Sequence, residues 1–424
     1  DNTFDSKESK DINAIFVSGG KSKDRSFDGM VQDDLSEKTK RLVRFAGDYC
    51  RASPNIVFKE KYSVLAIGWR SLKSSFLVDY DFYSKFSGER KKISSIMNIC
   101  PIVKTPINLD KEINREGITN LIFTLENHQN IAAFLHLDLI YPQKMLIKIH
   151  HLEDHGSLKD LLSKVSNPLE EYSKKYNSKK SGLHLTLIAL YGRQILEALN
   201  HFHSNRVFFM NLHSGNVLVN TNTNKVKLLD FESFYFDLPI KYEQHYFYLI
   251  ELFLEEYQKQ NFDKQSAMLS DIFSPKFNVF EVIDIVSFGR VIYEMYTGKE
   301  LKAPYPDELE YPEMEDSIKG VLKSIFPVKV KTSYNSKTKF VGYPEVSAAD
   351  LLKTKFFAEA TSCEFGFEED RKQKKREEKF ADKISVDSED LRFEVDGLSH
   401  IKEEIFNQKR FIGMQYNKIN TLKN

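Results

Sequence analysis

Cysteine is scarce in this chain: Cys50, Cys100 and Cys363 are the only three among 424 residues. They are far apart and match neither a zinc-ligand spacing nor a disulfide framework, so a reducing compartment is expected. Net charge is missing too, with 61 Lys+Arg against 61 Asp+Glu, and nothing global argues for nucleic acid. No apolar run reaches the roughly 20 residues of a membrane-spanning helix, so no transmembrane segment is expected. No signal-peptide pattern is visible either. The first residue is Asp1 rather than Met, which suggests a processed or partial chain with further sequence upstream. There is no internal repeat. What the chain does have is 41% hydrophobic and 13% aromatic residues, enough for a sizeable core. Its length allows two or three domain-sized units, or one two-lobed domain with extensions.

Four segments differ in character. Residues 1–55 are polar and charged, with one short helix expected near 36–45, and read as an N-terminal extension. From 56 to 151 short apolar runs alternate with turns. Strands are expected at Val64–Trp69, Ser75–Val78, Met97–Lys104, Ala132–Leu139 and Met145–His150, with a single helix near Asp110–Leu125. From 152 to 357 helices dominate. Ile188, Tyr191, Ile195, Leu199 and Phe202 recur at helical spacing, and the pattern stops near Ser204-Asn205. Val217–Val219 and Val226–Leu229 flank Asn220-Thr221-Asn222-Thr223-Asn224, a hairpin signal. Val282–Tyr296 is apolar nearly all round, as a buried helix is. Residues 358–424 form a C-terminal extension, in which 364–383 carry seven basic and seven acidic side chains, a solvated helix or arm.

The densest chemistry lies in Phe209-Met210-Asn211-Leu212-His213-Ser214-Gly215-Asn216-Val217, followed by Asp230-Phe231-Glu232. A protein-kinase catalytic loop reads H-R-D-L-x-x-x-N and is followed by D-F-G. Leu212, Asn216, Asp230 and Phe231 match; Phe209, Met210 and Asn211 replace the His, Arg and Asp, and Glu232 replaces the Gly. Further landmarks follow in kinase order. They are His128-Gln129-Asn130-Ile131, Leu152-Glu153-Asp154-His155-Gly156-Ser157-Leu158, Asp284-Ile285-Val286-Ser287-Phe288-Gly289 and Ala349-Asp350-Leu351-Leu352-Lys353-Thr354-Lys355-Phe356-Phe357. Each alone is weak, and their common order is specific. The expected fold is α+β, a two-lobed protein-kinase-like fold with a small β-rich lobe at 56–151 and a larger helical lobe at 152–357.

Within that superfamily the chain resembles the PX-domain-containing kinase-like proteins and the related slowpoke-binding (Slob) proteins. The resemblance rests on Ile67-Gly68-Trp69-Arg70, Lys174-Lys175-Tyr176-Asn177-Ser178-Lys179-Lys180, Tyr191-Gly192-Arg193-Gln194-Ile195-Leu196-Glu197-Ala198-Leu199 and Leu212-His213-Ser214-Gly215-Asn216-Val217. It covers about residues 64–357 and implies a kinase-like domain with degraded catalytic motifs that works mainly as an adaptor. Residues 1–55 are too short for a PX domain, so membrane binding through PX is not supported by this chain.

Residue by residue, the chemistry is impaired. A kinase Asp accepts the proton of the substrate hydroxyl; the amide of Asn211 keeps the hydrogen-bonding shape without that basicity, unless Asn211 is only a turn residue. Asn216 and Asp230 match the two Mg²⁺ ligands, hard oxygen donors that leave ATP and Mg²⁺ binding open, with no cofactor required. The bland alternatives are a local backbone bond for Asn216 and a turn cap for Asp230. Lys104 is the candidate strand lysine, with Glu112 or Glu116 as helix partner, against a plain surface lysine. Between Phe76 and Met97 the only glycine is Gly88, so no G-x-G-x-x-G is there to cradle phosphates. The A-P-E motif and its usual Arg partner are both missing, which is coherent for a buried ion pair. Asp284 is expected either to bind the catalytic-loop backbone, as in kinases, or to cap a helix. His150, His151 and His155 read as hinge residues rather than a metal site. The basic loop with Tyr172 and Tyr176 reads as an insertion, or as a surface for an acidic partner. The leading expectation is a cytoplasmic pseudokinase scaffold with protein partners, binding through the aromatic-rich segment 233–281 and the charged tail. A weakly active Mg-ATP-dependent kinase or ATPase is the second reading. A structural component of a cytoskeletal or ciliary assembly is the third.

Overall fold

The computed structural model describes residues 43–59, 66–67, 74–83, 90–102, 122, 125, 127–140, 145–153, 156–167, 175–176, 181–231, 279–301, 314–333, 336–341 and 344–360. The fold is mixed α and β, with an antiparallel sheet followed by helices. Helix α1 spans 43–52. The strands are β1 (Ile56–Phe58), β2 (Ala66–Ile67), β3 (Ser74–Tyr83), β4 (Arg90–Pro101), β5 (Phe134–Ile140) and β6 (Met145–His151). They form one sheet in the order β1-β3-β4-β6-β5, with β2 beside β3.

Period-two alternation gives this sheet two different faces. One carries Phe76, Val78, Met97, Ile99, Met145, Ile147 and Ile149, which cluster with Phe45, Ala46, Tyr49 and Cys50 of α1. The helix thus lies inside the stretch expected to be an extension, yet it covers the sheet as part of the core. Tyr49 pins it: its hydroxyl donates to Asp138 Oδ2 at 2.9 Å and sits 2.8 Å from His136 Nε2, both on β5. Burial, and then Asp138, push the Tyr49 hydroxyl far above its ordinary range. Burial likewise pushes the Cys50 thiol up to about 12, so it stays protonated beside Met97.

The long β3–β4 hairpin, paired from Ser74↔Ile99 to Tyr83↔Arg90, fills the stretch in which the phosphate-covering loop was sought. Gly88 lies outside the described residues, as do Lys104, Glu112 and Glu116. Of the helix expected near Asp110–Leu125, Ile122 and Leu125 are described; both are helical and fully buried.

The second part is built on α3 (Leu185–Ser204) and α4 (Val279–Thr297), which pack on each other. Ile188, Tyr191, Ile195, Leu199 and Phe202 form the buried stripe of α3, and Asn205 ends it as the C-cap. Around the pair lie α2 (Leu158–Leu162), α5 (Asp316–Ile325), α6 (Ala348–Leu352) and α7 (Lys355–Ala358). The hairpin β7 (Val217–Asn220) and β8 (Lys225–Leu228) packs on α3 through β8. A further hairpin, β9 (Val328–Ser333) and β10 (Ser336–Val341), was not anticipated. Its alternation in Val328-Lys329-Val330-Lys331 and Lys337-Thr338-Lys339-Phe340 is the period-two signal that marks strands. Among the described residues no helix is long and apolar enough to cross a membrane.

Candidate functional site

The site is built from three pieces: the loop 207–213, the turn after it, and Asp230 two residues beyond β8. The loop is held from below by Asp284, fully buried on α4. Its carboxylate accepts the backbone N–H of Phe209 at 2.8 Å and of Met210 at 2.7 Å. The ring of His203 at the end of α3 lies 2.9 Å away. Met210 has φ +59°, a left-handed conformation that a non-glycine residue holds only when its surroundings impose it. The bonds from Asp284 to the two successive N–H groups of Phe209 and Met210 are that imposition. Because α4 begins at Val279, Asp284 is not its cap, and the backbone-binding alternative is the one the geometry takes.

After the loop, Ser214–Asn216 form a single 3-10 turn capped by the His213 ring, which accepts the N–H of Gly215. Asn216 is buried, and its side-chain amide donates to the Asn211 carbonyl at 2.9 Å. Its own carbonyl accepts the N–H of Leu229 at 2.9 Å, tying the turn to the chain just before Asp230. Asn211, Asn216 and Asp230 are therefore brought into one neighbourhood. Asp230 also has a positive φ, +69°.

The cation beside Asp230 is a residue that sequence reasoning missed. Lys148 Nζ lies 2.5 Å from Asp230 Oδ1, with the lysine side chain 0% and the aspartate side chain 9% exposed. Lys148 comes from the middle of β6, in register with Asn98 on β4 and Leu137 on β5. Asn98 is itself in register with Ser75 on β3, whose hydroxyl donates to Asn98 Oδ1 at 2.6 Å. Ser75, Asn98 and Lys148 thus draw a buried polar stripe across the face turned away from α1. The Phe134 ring lies 5.6 Å from Lys148 Nζ and stacks on Phe231, the residue after Asp230, at 5.5 Å and 20°. A signal was present in Met145-Leu146-Ile147-Lys148-Ile149: one cation inside an apolar strand, costly to bury unless paired.

Other motif residues prove to be fasteners. The Asn130 amide donates to the Val226 carbonyl and to Gln194 Oε1, both at 3.0 Å. Gln194 in turn accepts the N–H of Val226 and donates to the Asn224 carbonyl, both at 2.9 Å. Together they clamp the β7–β8 hairpin to α3. Gly192 allows α3 to meet its neighbours, because a Cβ there would stand 2.7 Å from Phe357 Cε1 and 3.0 Å from Ile292 Cδ1. Arg193 donates to the carbonyls of Phe357 and Ala358, both at 3.1 Å, closing the end of α7. Ser157 and Asp160 form a reciprocal cap at the start of α2. In the basic aromatic loop Lys175 and Tyr176 are described, and both turn to Asp160, at 3.6 and 2.7 Å. His150 Nδ1 lies 3.0 Å from the His151 carbonyl, and His155 lies outside the described residues. Among the described residues no group of three or more His, Cys, Asp or Glu is placed to hold a metal ion. Glu232, most of segment 233–281 and the tail beyond 360 also lie outside them.

The chain is similar to proteins named as inactive kinases, as kinase-like or as Slowpoke-binding. It is 25% identical over 316 residues to "Probable inactive serine/threonine-protein kinase slob2" of Dictyostelium discoideum, covering 73% of this chain and 48% of that protein. It is 28% identical over 235 residues to the "PX domain-containing protein kinase-like protein" of Rattus norvegicus, covering 55% and 34%. It is 32% identical over 177 residues to the "Slowpoke-binding protein" of Drosophila melanogaster, covering 40% and 28%. The chain therefore spans less than half the length of each of these relatives. No protein-family model matches it.

Proposed function

We propose that this chain is a two-lobed pseudokinase core that acts as a protein-binding scaffold. In this reading the six-stranded sheet with α1 is the small lobe, and the helices around α3 and α4 are the large lobe. The observation that carries it is the contrast within one loop. Asp284 still holds Phe209 and Met210 in position, while Asn211 has no basic group to offer a substrate hydroxyl. A fold that keeps the support and drops the reacting group serves its surfaces rather than the reaction. The Drosophila relative is named for binding Slowpoke, which makes a protein partner the matching class and Slowpoke a first candidate. Cys50 and Cys100 are buried and not joined in a disulfide, which accords with the cytoplasmic setting assumed here. ATP and Mg²⁺ are not required for this role.

Two measurements on the purified chain test the proposal together. Transfer of the γ-phosphate from ATP should stay at the no-enzyme background, and immobilised Slowpoke should retain the chain with a Kd in about the micromolar range, near −8 kcal/mol. Transfer above background that Asp230→Asn abolishes would establish the weakly active kinase instead. An inert chain that also ignores Slowpoke would remove this partner, and sedimentation with a cytoskeletal or ciliary assembly would support the structural reading in its place.

A further inference from the structure

A kinase-like fold seats Mg²⁺ on the residues that correspond to Asp230 and Asn216, and the surroundings of Asp230 do not fit that ion. Mg²⁺ needs an octahedral shell at about 2.0–2.1 Å from each oxygen and gives up its waters reluctantly. The space against Asp230 Oδ1 is already taken by the Lys148 ammonium at 2.5 Å. Charge points the same way. Among the described residues, one aspartate and one lysine sum to zero, and Asn216 adds no charge, so the pair itself offers a divalent cation no net attraction. A cation entering beside a desolvated ammonium meets repulsion that solvent does not screen. Asn216 is also engaged, because its side-chain amide donates to the Asn211 carbonyl.

Lys148 is not a surface lysine that has strayed inward. It is fully buried and set by strand register between Asn98 and Leu137, with the Phe134 ring against its ammonium. The Asn98 side-chain nitrogen is buried and meets no hydrogen-bond partner among the described residues. The stripe is thus made of buried donors, and its lysine closes the Asp230 carboxylate.

We propose that the Lys148 ammonium is a resident cation standing in for the divalent metal against Asp230, so that any ligand of this cleft binds without metal. The inference rests on the pseudokinase reading insofar as Asp230 occupies the position of a metal ligand. It goes beyond that reading by assigning Lys148 as the residue that sets metal selectivity. A consequence is that an anionic cleft ligand, ATP included, should bind equally well in EDTA and in Mg²⁺.

The probe is Mn²⁺ alone, counted by loss of the free-ion electron paramagnetic resonance signal. Four folded chains are compared: wild type, Lys148→Met, Asp230→Asn, and the double variant Lys148→Met/Asp230→Asn, in which the buried pair becomes neutral. Wild type should retain no more Mn²⁺ than the double variant, and Lys148→Met should gain about one ion per chain, since its freed carboxylate is a hard oxygen donor. A wild-type ion that is lost in Asp230→Asn and in the double variant overturns the proposal, as does a folded Lys148→Met that gains none. Should Lys148→Met not fold, equal retention by wild type and double variant still supports the proposal, and unequal retention still sinks it. Loss of the scaffold reading would leave these counts unchanged, so the two ideas fail separately.

Discussion

Asp284→Ala is the substitution whose cost can be worked most directly from the geometry. The carboxylate is 0% exposed and takes two backbone N–H groups, from Phe209 at 2.8 Å and Met210 at 2.7 Å, with His203 Nε2 a further 2.9 Å neighbour. Hydrogen bonds to a charged acceptor contribute about 1.5–3 kcal/mol each, and a buried donor left without a partner costs about 1–3 kcal/mol. With both amides in a buried loop, the expected loss is about 3–6 kcal/mol. A typical domain has only about 5–15 kcal/mol in total. Asp284→Asn keeps one acceptor oxygen but turns an NH₂ toward a backbone N–H, so about 2 kcal/mol or more should still be lost. Urea unfolding supplies the test, read from the midpoint at unchanged slope. Hydrogen exchange at Phe209 and Met210 should accelerate in both variants, because the left-handed Met210 has lost what imposes it. A loss under about 1 kcal/mol for Asp284→Ala, or amides as protected as before, would refute the view that this carboxylate holds the loop.

Three further outcomes follow from other contacts. Tyr49→Phe should cost about 1–2 kcal/mol by removing the bond to Asp138, and should make α1 more sensitive to protease; no change in either would mean that α1 is not fastened there. Gly192→Ala should destabilise by about 1 kcal/mol or more, because overpacking against Phe357 and Ile292 outweighs the gain in helix propensity; combining it with Phe357→Leu in a double-mutant cycle should recover part of the loss. Burial, and then stacked His201, hold His128 down at about 4, below its ordinary 6.5. The unfolded chain therefore takes up the proton first as pH falls. Stability should be full above about 6.5, decline between about 6.5 and 4, and level off below. The decline should be about 1–2 kcal/mol once the solvent-facing side of the ring is discounted. His128→Gln should flatten that part of the pH profile, and an unchanged slope would refute the assignment.

Much of the fold could be read directly because its signals are local. The α3 stripe from Ile188 to Phe202 follows the helical period, and Asn205 stops it where the pattern ends. The β7–β8 hairpin follows from two apolar runs around an Asn-Thr turn, and α4 from apolar residues on every side. Strands whose apolar residues alternate with charge were harder. Arg90–Ser95, where Arg90, Lys91, Lys92 and two serines hide the period, were not read as strand, although they pair in register with Asp79–Tyr83 and its neighbours. Helix α1 is hard to tell from an extension because it has only four buried hydrophobic residues, Phe45, Ala46, Tyr49 and Cys50, and their partners lie far along the chain.

The candidate site divides in the same way. The sequence by itself determined that the chemistry is impaired: Asn211 lacks the basicity of an aspartate wherever it is placed, and Asn216 and Asp230 are recognisable from their spacing to Leu212 and Phe231. Only the tertiary structure decided which lysine meets Asp230. Distance along the chain before His128 points to Lys104, which lies outside the described residues. Lys148 reaches Asp230 because β4, β6 and β5 pair so that it stands mid-sheet on the face opposite α1, 82 residues from its partner. Spacing carries information within one element or one turn, where geometry is fixed by the backbone period. A contact across a sheet depends on strand order and register, and these are set by packing of the whole core.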